Sequence, residues 1–170
     1  MPLLLLLALV LSACSRAPNP PQEPSPSETL DRLDARRPLP LLPMMALHQK
    51  ESMRDHLVAV QEIVSALAAE DYETVARAAR RIGTSEEMRR MCNHMGAGAP
   101  GFTEQALGFH EQADAIEAAA EEENAQKVLA ALGATLRTCT SCHEVWKQQV
   151  VDQATWEQAA GIAAPHAARD

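Results

Sequence analysis

Aromatic side chains are nearly missing from this chain. Its 170 residues include two Trp, one Tyr and two Phe, 3% in all, although 46% are hydrophobic. The apolar mass is therefore Ala, Leu, Val, Ile and Met, a composition that suits one domain of helices rather than a strand-rich core. Val and Ile are too scattered to mark alternating strands. Positive charge is also scarce: 15 Lys and Arg against 23 Asp and Glu leave a formal net charge of -8. That balance argues against a nucleic-acid partner and favours a solvated acidic surface. The longest apolar run, residues 3–11, is far too short to span a bilayer as a helix, and no Lys or Arg precedes it. No nucleophile motif and no acid–base constellation beyond ordinary surface carboxylates points to an enzyme.

Cysteine is sparse as well, but its placement is informative. Four occur, Cys14, Cys92, Cys139 and Cys142, and the last two belong to Cys-Thr-Ser-Cys-His over 139–143. C-x-x-C-H is the attachment signature of a c-type haem: two thiols form thioethers with the vinyl groups, and the adjacent His143 imidazole takes the iron. Zinc would need a second ligand pair at comparable spacing, and the sequence offers none. A thioredoxin-like pair would open a helix after a strand, whereas this motif lies deep within a helical pattern. Leu129, Leu132, Leu136, Cys139, His143, Trp146 and Val150 step by threes and fours, predicting a helix over about 125–151 whose core seam carries the haem.

Three further amphipathic segments precede it. The first runs from about 44 to 69 with the stripe Met53, Leu57, Val60, Val64 and Leu67. The second starts near Asp71, is interrupted at Gly83, and restarts through a capping-box pattern at Thr84 and Glu87. Residues 96–101, Gly-Ala-Gly-Ala-Pro-Gly, match a dinucleotide fingerprint in letters only, because they follow a helix, and they read as a turn. Thr103 is placed to cap the third helix, with stripe Ala106, Phe109, Ala113, Ile116 and Ala120, and Asn124 to cap the fourth. Asp152 is placed to cap a short terminal helix around Trp156. The expected fold is all-α, an antiparallel four-helix bundle with covalent haem on the last helix.

Ahead of the domain lie two other segments. Residues 1–14 end in Leu-Ser-Ala-Cys, which resembles the bacterial lipoprotein cleavage box and makes Cys14 the expected lipidation site. Residues 15–42, rich in Pro, Ser and Glu, read as a disordered tether, in which Arg36 and Arg37 are candidates to meet anionic headgroups. The cytochrome domain is expected over 43–151, with a short helix and disordered tail over 152–170. Export to the periplasm, with membrane attachment through the lipid alone, agrees with a haem attached outside the cytoplasm.

The combination of four helices with Cys-Thr-Ser-Cys-His-Glu-Val-Trp-Lys at 139–147 late in the last one resembles the class II c-type cytochromes, the family of cytochrome c-prime and its six-coordinate relatives. The resemblance implies one covalent haem c, thioethers at Cys139 and Cys142, His143 as proximal ligand, Trp146 as the usual aromatic and Lys147 as the usual basic residue. In the six-coordinate relatives a methionine of the first helix binds the iron, and the matching position here is Met53. His48, His56 and His110 are rival distal ligands, and a vacant position is the remaining alternative. Met88, Met91, His94 and Met95 suggest either core filling or a soft copper site, and Cys92 is left as a spare thiol. The implied function is one-electron transfer with an unidentified redox partner, in a monomer or homodimer. A five-coordinate cytochrome binding nitric oxide or carbon monoxide, and a haem-free metal-binding lipoprotein, are the alternatives.

Overall fold

The computed structural model describes residues 23–162 and divides the chain into two units after Ala35. Cys14 and the expected signal segment over 1–14 lie outside the described residues, as does the tail beyond residue 162. The chain is mostly helical, with seven helices among the described residues. No helix among them is long and apolar enough to cross a membrane.

In the first unit, α1 (Pro26–Leu33) forms because Ser25 closes a full capping box. The Ser25 backbone N–H donates to Glu28 Oε2 at 2.6 Å while the Glu28 N–H donates back to Ser25 Oγ at 3.3 Å, satisfying two otherwise orphaned donors. The second unit opens with β1 (Arg37–Leu41), then α2 (Pro43–Ala68), α3 (Tyr72–Arg81), α4 (Glu86–Gly96), α5 (Phe102–Glu121), α6 (Ala125–Val145), β2 (Trp146–Val150) and α7 (Gln153–Ala159). The expectation of a disordered tether over 15–42 thus fails across 26–33 and 37–41, and the domain begins before residue 43. Leu39 and Leu41 explain why, since both are fully buried and contribute roughly 1.5–3 kcal/mol each.

The chain is helical in the main, as expected, and two short strands that the sequence did not signal accompany the helices. β1 and β2 pair in parallel, Arg37 opposite Trp146 and Leu41 opposite Val150, and the Val151 N–H extends the contact to the Leu41 carbonyl. Pro38 and Pro40 alternate along β1, so their missing donors fall on one edge, which an edge strand tolerates. The pairing also ends α6 at Val145 instead of near 151. Trp146 turns to extended backbone (φ -114°, ψ 141°) while its N–H still closes the helix on the Cys142 carbonyl.

The long helices pack in succession, α2 on α3, α3 on α5 and α5 on α6. One core joins all four through Ala59 and Ile63 of α2, Val75 and Ala79 of α3, Phe109 and Ile116 of α5, and Val128 and Leu132 of α6. A second gathers Leu39, Leu41, Ala46, Met95, Phe102 and Trp146. The break expected at Gly83 is present. A Cβ on Gly83 would lie 2.3 Å from Asp114 Oδ1, and that closeness lets Asp114 accept from both Thr84 N (2.9 Å) and Thr84 Oγ1 (2.7 Å). With Thr84 so engaged, Ser85 takes the cap of α4, accepting from the Met88 N–H. Thr103 likewise does not cap α5. Gly101, at φ +91°, occupies that position, and Thr103 Oγ1 donates to the Cys92 carbonyl. Asn124 and Asp152 cap α6 and α7 as expected.

Candidate haem-attachment site

The site is built on the last two turns of α6. Residues Thr135 to Cys142 are rich in hydroxyl and thiol groups, a poor composition for a helix interior because such groups compete for the backbone. Here they bond back within the helix instead. Thr135 Oγ1 donates to the Ala131 carbonyl at 3.0 Å, Thr138 Oγ1 to Thr135 O at 2.6 Å, Thr140 Oγ1 to Arg137 O at 3.1 Å and Ser141 Oγ to Thr138 O at 3.1 Å. Cys139 Sγ donates to the Thr135 carbonyl at 3.4 Å.

Cys139, Cys142 and His143 occupy one turn, but their surroundings differ. Cys139 is partly buried against the four-helix core, and Cys142 against the second core beside Met95 and Phe102. The His143 side chain is exposed and forms no hydrogen bond among the described residues. Leu132 and Cys139 of α6 and Trp146 beyond it face inward as expected, whereas Val128, Thr135 and Cys142 pack in place of Leu129, Leu136 and His143, each one position later. The same offset appears on α2. Ala59, Ile63 and Ala66 are buried, Val60 and Leu67 half-buried, and Leu57 and Val64 exposed. Adjacent apolar positions made two seams compatible with the helical period, and the small residues of α5 and α3 select the one that brings backbones closer.

All three described cysteines, Cys92, Cys139 and Cys142, are free. Burial raises the Cys139 thiol above its ordinary range, and burial together with the neighbouring Cys139 raises that of Cys142. This is the reverse of a redox-active pair, whose attacking thiolate is stabilised. Two protonated thiols one turn apart, next to an imidazole without competing bonds, match the donor set that covalent haem requires.

Trp146 fixes the end of the helix. Its indole N–H donates to Gln105 Oε1 at 2.9 Å, the Phe102 ring meets it edge-on at 5.6 Å, and the Arg37 guanidinium lies 4.2 Å above its ring. Arg36 donates to the carbonyls of His143 and Trp146 at 3.1 and 3.4 Å. Both arginines, read from sequence as candidates for lipid headgroups, are turned onto the protein. That role was illegible because it depends on a strand pairing with no local signal.

The remaining candidates disperse. Met53 is 41% exposed and belongs to neither core cluster. His48 is exposed, whereas His110 is buried and pairs with His56, their ring centroids 5.4 Å apart. Met91 and Met95 join the second core, His94 meets Trp156 at 5.2 Å, and Cys92 is buried with its thiol pushed up by burial.

Residues 97–147 match the family model described as Cytochrome C'. The matched stretch contains Cys139, Cys142, His143, Trp146 and Lys147, and it stops short of α2 and Met53. Neither the curated proteins nor the solved structures gave a match.

Proposed function

We infer that this chain, a class II c-type cytochrome by the segment over 97–147, works as a one-electron carrier and not as an enzyme. The observation that carries this reading is the coincidence of that match with the free thiols of Cys139 and Cys142 beside the uncommitted ring of His143. Bound haem c would supply reversible ferrous–ferric chemistry. Cys139 and Cys142 would hold it through thioethers and His143 would ligate the iron, in a site formed by α2, α3, α5 and α6 packed as an antiparallel four-helix bundle. The exposed Leu57 and Val64 of α2 and Leu129 and Leu136 of α6 support a fit to a large apolar group, since aliphatic stripes on two helices call for a cover. We place the protein in the periplasm, tethered through a lipidated Cys14 and exchanging electrons with a protein partner, as a monomer or homodimer.

Met53 is the proposed distal ligand of a six-coordinate iron. Its exposure favours a second reading, a five-coordinate haem open to nitric oxide or carbon monoxide. Absorption spectra of the purified protein, oxidised, reduced, and reduced under carbon monoxide, separate the two. Low-spin bands unmoved by carbon monoxide support electron carriage with Met53 bound, whereas a high-spin spectrum with ready gas uptake supports the second reading. A colourless protein with both thiols free overturns both.

A further inference from the structure

Of the methionines and histidine that suggested a soft metal site in sequence, Met88 stands outside the second core that Met91 and Met95 join. It lines a cleft of about 420 Å³ together with His56, Asp55 and Ile82. Behind this cleft lies His110, 3% exposed, whose Nδ1–H donates to the Ile82 carbonyl at 2.8 Å. A carbonyl can only accept, so that bond fixes the tautomer and leaves the His110 Nε2 lone pair unprotonated. Metal-bound histidines characteristically hold their second nitrogen in this way.

His56 is the partner. Its ring stacks on Phe109 at 4.5 Å and stands edge-on to His110, the centroids 5.4 Å apart at 81°. It makes no hydrogen bond among the described residues. Metal–nitrogen bonds of about 2 Å place two ligated imidazoles about 5–6 Å apart between centroids, so the observed spacing needs little adjustment. The local charge also suits a cation. Asp55 borders the cleft, Asp114 acts on His110, and the Arg81 charge is paired with Glu62 at 2.5 Å. Among the described residues no three His, Cys, Asp or Glu side chains converge on a metal position, which leaves two imidazoles and a thioether as the donor set.

We propose that His56, His110 and Met88 bind one copper(I) ion at this cleft, apart from the thiols of α6. Two neutral imidazoles suit both copper and zinc, and the thioether selects the softer ion. Copper(I) accepts low coordination numbers, whereas zinc favours a fourth, harder donor. Burial keeps both rings in the neutral form a metal needs, the His56 imidazolium being held down to about 4 and that of His110 also lowered.

The test is an anaerobic titration of the full-length protein as isolated against a chromogenic copper(I) chelator. The wild type should withdraw one equivalent from the chelator. His56→Phe, which keeps the stacking on Phe109, should weaken that affinity at least tenfold, and Met88→Leu should weaken it less. Cys92→Ser should leave it unchanged, and zinc should compete poorly. The proposal is overturned if no copper is withdrawn, if His56→Phe binds as the wild type does, or if Cys92→Ser abolishes uptake. It is equally overturned if His56→Phe alters the visible absorption of a haem-bearing sample, because the imidazole would then be an iron ligand.

Discussion

The Arg36 guanidinium reaches across 3.1 Å to the backbone carbonyl of His143, a residue 107 positions later in the chain. The last carbonyls of a helix lack intrahelical donors and carry the negative end of its dipole, so a cation there is favourable. Arg36→Gln should cost about 1 kcal/mol of stability. Urea unfolding checks the magnitude. Faster hydrogen exchange at the amides of β2, with α3 unaffected, checks the location.

The Thr84–Asp114 contact makes two substitutions informative. Asp114→Ala removes the acceptor of the Thr84 N–H and should cost about 1–3 kcal/mol. Gly83→Ala drives a methyl toward the Asp114 carboxylate and should cost a similar amount by overpacking. Because both act on one contact, the double variant should lose less than the sum of the two, as a double-mutant cycle by thermal or urea unfolding will show.

Loss of the strand pairing should be felt in the second core. Leu39→Ala empties a site that is 1% exposed beside Trp146 and should destabilise by about 2–5 kcal/mol. Chemical denaturation gives the cost, and a red shift of tryptophan fluorescence at low denaturant would report the opened contact with Trp146.

Stability of the metal-free protein should fall with acid because His56 and His110 are buried as neutral rings. Their folded values lie below the unfolded one near 6.5, so the unfolded chain binds more protons as pH drops. The contribution is complete above about pH 6.5 and is lost down to about pH 4, where His56 itself takes a proton, with an upper bound on the order of 3 kcal/mol from His56. Asp55 and Asp114 oppose the loss by favouring the imidazolium forms. Urea midpoints across this window should flatten in His56→Phe, and an unchanged slope would contradict the assignment.

Haem attachment should follow the thiols individually. Cys139→Ala and Cys142→Ala should each keep colour after denaturation through one thioether, with the reduced pyridine complex absorbing at longer wavelength. The double variant should release its haem to acidified acetone.

Amino-acid order alone specified the helices from α2 onward, the caps at Asn124 and Asp152 and the Cys139–His143 motif, because capping, periodicity and motif spacing are local. Asn124 accepts from Lys127 N and Asp71 from Thr74 N whatever the rest of the chain does. Which seam each helix buries was decided only in three dimensions. Leu129, Leu136 and Val64 are good core residues, yet Val128, Thr135 and Ile63 are buried in their place because the closest fit depends on the facing helix. The parallel pairing of β1 with β2 and the meeting of His56 with His110 have the same origin. Each joins residues far apart in sequence, whose contact becomes favourable only after the helices between them have packed.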